Sequence, residues 1–94
     1  MIGQVKDELG MLFGGKNYKI VKKSGNAGDK IDRHNHPMND IVFTVVSGKF
    51  KVCLEEEEEH EVSQGQVLCF DGKNYISAEF LEDNSEVVIA LIFK

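Results

Sequence analysis

From Tyr18 onward the chain is cut into short apolar runs by closely spaced turn signals: Ser24-Gly25-Asn26-Ala27-Gly28, His36-Pro37-Met38-Asn39, Ser47-Gly48, Gln64-Gly65, Asp71-Gly72 and Glu82-Asp83-Asn84-Ser85. The runs between them are rich in Val, Ile, Tyr and Phe and are too short for stable helices. They read as eight strands: Tyr18–Lys22, Lys30–His36, Ile41–Val46, Phe50–Leu54, Glu59–Val62, Val67–Phe70, Tyr75–Phe80 and Val87–Phe93. Short strands with a break roughly every eight to twelve residues argue for an antiparallel sandwich or barrel. The expected fold is therefore all-β.

The segment before Tyr18 is different. Ile2, Val5, Leu9 and Leu12 follow a three- to four-residue spacing, so residues 2–13 read as a short helix or an arm, stopped by Gly14-Gly15. We divide the chain into an N-terminal helix or arm, 1–17, and a β-barrel domain, 18–94. Ile41–Val46 and Val87–Phe93 are apolar on both faces. A small barrel has one interior, so the outward face of such strands needs a cover. The N-terminal segment or a second copy would supply it, and we expect a homodimer through a sheet face.

Ninety-four residues make a single small domain. Sixteen acidic against eleven basic side chains leave a formal charge of −5, which disfavours nucleic acid as a partner. No apolar run reaches 18 residues, so no membrane helix is expected. The opening MIGQVKDELGMLFGG has neither a basic leader region nor a small-residue cleavage site. Cys53 and Cys69 are too few for a disulfide scaffold and sit in apolar surroundings. They are expected as buried thiols, and the protein as cytoplasmic.

Chemistry concentrates at one place. His34 and His36, spaced i, i+2 in extended chain, would project from one face of a strand, and Asp40 opens the next strand close by. Two imidazoles and a carboxylate suit a divalent transition metal such as Zn, Fe, Mn, Ni or Cu. Three protein ligands would leave a position open for substrate. The alternative is a polar trio that hydrogen-bonds at the mouth of the barrel or contacts an organic ligand. In a regular strand Asp32 shares the histidines' face and could orient an imidazole, with solvent exposure near the strand start as its plainer fate, whereas Arg33 points away and is expected in a surface ion pair. Cys69 could face inward as a further donor, with burial as its plainer fate. The run Glu55–Glu59 reads as a solvated hairpin end. The chain has no phosphate-binding glycine loop, nucleophile elbow or CxxC pair.

With these spacings, the chain resembles the cupin superfamily of small double-stranded β-helix (jelly-roll) barrels, whose first motif reads G-x5-H-x-H-x3-E-x6-G. Gly28, His34, His36 and Gly48 match it, with Asp40 at the glutamate position and one extra residue before Gly48. The second motif, G-x5-P-x-G-x2-H-x3-N, opens at Gly65 with QVLCF following. Then Asp71, Lys73, Ile76 and Phe80 replace the proline, glycine, histidine and asparagine. The resemblance implies a metal held by His34, His36 and Asp40, with Ile76 unable to coordinate. The expectation is weak divalent-metal binding in the barrel beside a pocket for a small organic ligand, such as a sugar or carboxylic acid derivative. A metal-free binding or sensing module is the alternative.

Overall fold

The computed structural model describes residues 2–94; Met1 lies outside the described residues. Nine strands follow one another: β1 (Gly10–Gly14), β2 (Tyr18–Gly25), β3 (Lys30–His34), β4 (Asn39–Ser47), β5 (Lys49–Leu54), β6 (Glu58–Ser63), β7 (Val67–Asp71), β8 (Ile76–Phe80) and β9 (Ser85–Phe93). They form two antiparallel sheets, one of five strands in the order β1-β2-β9-β4-β7 and one of four in the order β3-β8-β5-β6. Sequence neighbours such as β3 and β4 lie in opposite sheets, which is the jelly-roll winding that the resemblance implies, within the sandwich or barrel expected from the strand pattern. Among the described residues no helix is long and apolar enough to cross a membrane.

The N-terminal segment takes the arm alternative. Its last turn of expected helix is strand β1, paired with β2 through Gly10↔Lys22 and Gly14↔Lys19. Gly10, at φ 90°, has left helical space altogether. Only Leu12 of the four spaced apolar residues is buried; Ile2, Val5 and Leu9 are 108%, 98% and 62% exposed. A dozen residues gain little from helix formation in water, and the free edge of β2 offers a ready ladder of hydrogen bonds.

Strict alternation builds the core between the sheets. Ile41, Phe43 and Val45 of β4 stand beside Leu91, Ile89 and Val87 of β9. Facing them are Phe50 and Val52 of β5 and Ala78 and Phe80 of β8. Phe50 is central, edge-on to Phe43 at 5.5 Å and tilted against Phe80 at 4.6 Å. Each such ring, fully withdrawn from water, contributes about 2–3 kcal/mol. The acidic run closes the β5–β6 hairpin as expected, with Glu55 and Glu56 both in the left-handed region at the tip. Lys51 and Lys49 pair with Glu59 and Glu61 on the exposed flank of this hairpin.

Candidate functional site

An open cleft of about 1090 Å³ lies between the sheets at the end where β3 and β4 meet. Its floor is apolar, formed by Ile31, Ile41, Phe43, Phe70, Ile76, Phe80, Ile89 and Leu91. His34 and His36 are its two imidazoles.

A break in strand regularity positions the first of them. The β3–β8 register shifts between Ile31 and His34, so Ile31 pairs with Ala78 while His34 pairs with Ile76. An extra residue of this kind rephases the side chains, and Ile31 and His34, three apart, both look inward. The strand is thus not regular here, and Asp32 takes the plainer of its two expected fates, exposure near the strand start. Its carboxylate is exposed, and it is the Asp32 backbone carbonyl that accepts a 2.7 Å hydrogen bond from His34 Nδ1. A carbonyl can only accept, so Nδ1 carries a proton and donates it here, and Nε2 is the ring nitrogen left for a ligand.

His36 follows the end of β3 and packs edge-on against His34, ring centroids 4.9 Å apart. Gly72 holds the backbone here: its carbonyl accepts from His36 N–H at 2.8 Å, and its own N–H donates to the Asn39 carbonyl at 2.8 Å. A Cβ at Gly72 would stand 2.4 Å from the His36 carbonyl, so only glycine lets the two turns close on each other. Burial holds the His36 imidazole below its ordinary value of 6.5, assisted by the neighbouring His34 ring and then by Lys19 and Lys23. At neutral pH it is uncharged.

Asp40 is not brought to this pair. It is exposed and pairs with Asp71 and Ile92, outside the sheet, while its neighbour Ile41 is 3% exposed and lines the cleft. The extra residue before Gly48 explains the outcome. With six residues left between it and Gly48, the glutamate position falls on Ile41; with three left after His36, it falls on Asp40. Burial of the Ile41-Phe43-Val45 stripe selects the first register. Ile76, directly opposite His34, occupies the position of the late histidine. The two positions that would complete a ligand set are thus both isoleucine, and among the described residues no three His, Cys, Asp or Glu side chains stand together to hold a metal. The donor set does not fit a three-ligand centre.

Cys69 is no substitute. It lies beside Val42 on the outer face of the five-stranded sheet and is exposed, contrary to the expected burial, because Leu68 and Phe70 take the inward positions of β7. Cys53 is half-buried, and both thiols are free. Arg33 is a surface residue as expected, stacked 4.1 Å from the Tyr75 ring and paired with Glu55 and Glu56. What the sequence did not single out is β2. Its Lys19, Val21 and Lys23 stand beside Leu91, Ile89 and Val87, so both lysines sit on the cleft face. The alternation of β2 was visible in the sequence; which of its faces looked inward was not.

Comparison with known proteins agrees with this architecture. Residues 25–88 match the family model for the cupin domain. Among solved structures, KdgF from Halomonas sp. superposes with a TM-score of 0.80 at 24% identity, covering 89% of this chain and 77% of that one. A conserved protein of unknown function from Streptococcus pyogenes gives 0.77 at 20% identity, over 89% and 71% of the two chains. An RmlC-like cupin protein from Desulfovibrio desulfuricans gives 0.80 at 15% identity, over 98% and 92%. At these identities the likeness is one of fold. No curated protein matches the sequence. With the family model spanning more than half of its length and the jelly-roll winding in place, the chain belongs to the cupin family.

Proposed function

We propose that this cupin domain binds a small organic molecule in the cleft between its sheets without a resident metal. The apolar body of the ligand lies against Ile41, Phe43, Ile76 and Ile89, and its polar atoms meet His34 and His36. The observation that carries this reading is the pair of buried isoleucines, Ile41 and Ile76, at the two positions where the family motifs place a carboxylate and a histidine. An apolar pocket with a few convergent polar groups suits plain binding, and a neutral His36 can donate or accept a hydrogen bond there. The proposal extends to a cytoplasmic homodimer, supported by two free thiols and by the apolar outer face of the five-stranded sheet.

Metal analysis decides between this and the weak metal centre. Protein purified without chelator is expected to carry well under one equivalent of any transition metal, and His34→Ala with His36→Ala to leave that figure unchanged. One equivalent in the natural chain, lost in the double variant, would instead establish a divalent ion on the two imidazoles.

A further inference from the structure

We infer that the cleft selects an organic anion, a carboxylate or phosphate ester on an apolar body, whose charged end lies between Lys19 and Lys23. This rests on the cleft being the ligand site and adds the class of molecule it takes.

The register places the two lysines. Across β2 and β9, Lys19 stands beside Leu91 and Lys23 beside Val87, and these partners continue into Ile41 and Val45 of β4, all on the inward face. Residues directly opposite in an antiparallel pair share a face. Lys22, one step out of phase, faces the other way and pairs with Glu86 at 3.5 Å. An inward lysine is a known device for protecting an edge strand from mispairing. That explanation does not serve here, because β1 covers the free side of β2.

The charges are also uncommitted. Lys22, Lys49, Lys51 and Lys94 each have a carboxylate partner, whereas Lys19 and Lys23 make no ion pair among the described residues. Two acids share the rim. Asp29 already accepts a 2.8 Å hydrogen bond from the Asn26 backbone N–H, and Asp32 is exposed on the opposite sheet. Both lysines line the same cleft as His34 and His36. A positive wall over an apolar floor, in a chain whose net charge is −5, runs against the sign of the whole molecule. Low-dielectric walls strengthen such a field for an entering anion. Four residues of strand separate the two Cα atoms by about 13 Å, a span two lysine side chains can close from either side of Val21.

The test uses the intact protein and four probes sharing one body: 4-phenylbutyrate, 4-phenylbutyl phosphate, 4-phenylbutanol and 4-phenylbutylamine, titrated by amide and histidine ring NMR. The expected result is that at least one anion shifts residues of β2, β9 and the His34–His36 turn at a concentration at least tenfold below the alcohol, with the amine weakest. Which anion binds tighter separates carboxylate from phosphate. Lys19→Gln with Lys23→Gln should weaken that anion at least tenfold, and Lys49→Gln, on the β5–β6 hairpin away from the cleft, should not; their amide spectra report the fold directly. Equal binding of anion and alcohol, or an unaffected double glutamine variant, would overturn the anion inference and leave the cleft as a neutral pocket. Absence of any shift at the cleft with all four probes would remove both the inference and the ligand-binding reading beneath it.

Discussion

Among the described glycines, Gly48 alone combines a positive φ with no room for a Cβ. Its φ of 76° is one that L side chains adopt only with strain, and an added Cβ would lie 2.0 Å from Ser85 Oγ and 2.8 Å from Ser85 Cα. Ser85 cannot retreat. It is fully buried, donates to the Glu82 carbonyl at 2.8 Å and accepts from Lys49 N–H at 3.2 Å. Gly48→Ala therefore combines a backbone penalty with a steric one, and it should cost about 3 kcal/mol or more. Urea denaturation would show this as a lower midpoint with an unchanged slope. Gly72 is constrained differently, by the approach of the His36 and Asn39 carbonyls rather than by a positive φ. It belongs to the site more than to the framework.

At the scale of the elements, two local irregularities decide what the cleft contains. The register shift in β3 turns His34 inward beside Ile76. The phase of β4, set by burial of Ile41, Phe43 and Val45, turns Asp40 outward. If donor identity alone separates this site from a metal centre, supplying the missing donors at the inward positions should create one. Ile41→Glu with Ile76→His is expected to raise transition-metal affinity at least a hundredfold over the natural chain, read by isothermal titration with Zn²⁺ or Ni²⁺, whereas Ile41→Glu with Asp40→Ala should bind as well as Ile41→Glu alone. Both isoleucines are buried, so the polar replacements should also lower the stability of the metal-free variant by about 2–4 kcal/mol, with added metal restoring it. Loss of metal affinity on removing Asp40 would show that the outward carboxylate reaches the site after all.

The whole molecule leaves one apolar surface uncovered. On the outer face of the five-stranded sheet, Val42 and Thr44 stand beside Ala90 and Val88 on one side and Cys69 and Val67 on the other, with Ile20 and Tyr18 continuing the row on β2. The N-terminal arm leaves the edge strand of this same sheet with Ile2 and Val5 almost wholly in solvent. A second copy brings both a matching sheet face and a matching arm, which is the closure a two-fold dimer provides. Sedimentation equilibrium should give twice the 10.5 kDa chain mass at micromolar concentration. Val42→Lys, at the centre of the face, should return the molecule to a monomer with little change in its fold. A natural chain that sediments as a monomer would remove the dimer and leave the arm unexplained.

Eight of the nine strands and the antiparallel all-β class followed from the sequence by itself, because turn residues and β-rich runs are local properties. The strand β1 did not, since its apolar spacing read equally as helix or arm and only the free edge of β2 made it a strand. His34 and His36 were legible for the same reason: two residues apart, they stay together in any extended chain. Phase was not legible. A strand apolar on both sides, such as Ile41–Val46, gives no local sign of which side is the interior. One inserted residue or one bulge then exchanges Asp40 for Ile41 or Arg33 for His34. Only packing against the opposite sheet, where Phe43 meets Phe50, settled that choice. In doing so it removed a carboxylate from the site and brought in two lysines from a strand that local pattern had left anonymous.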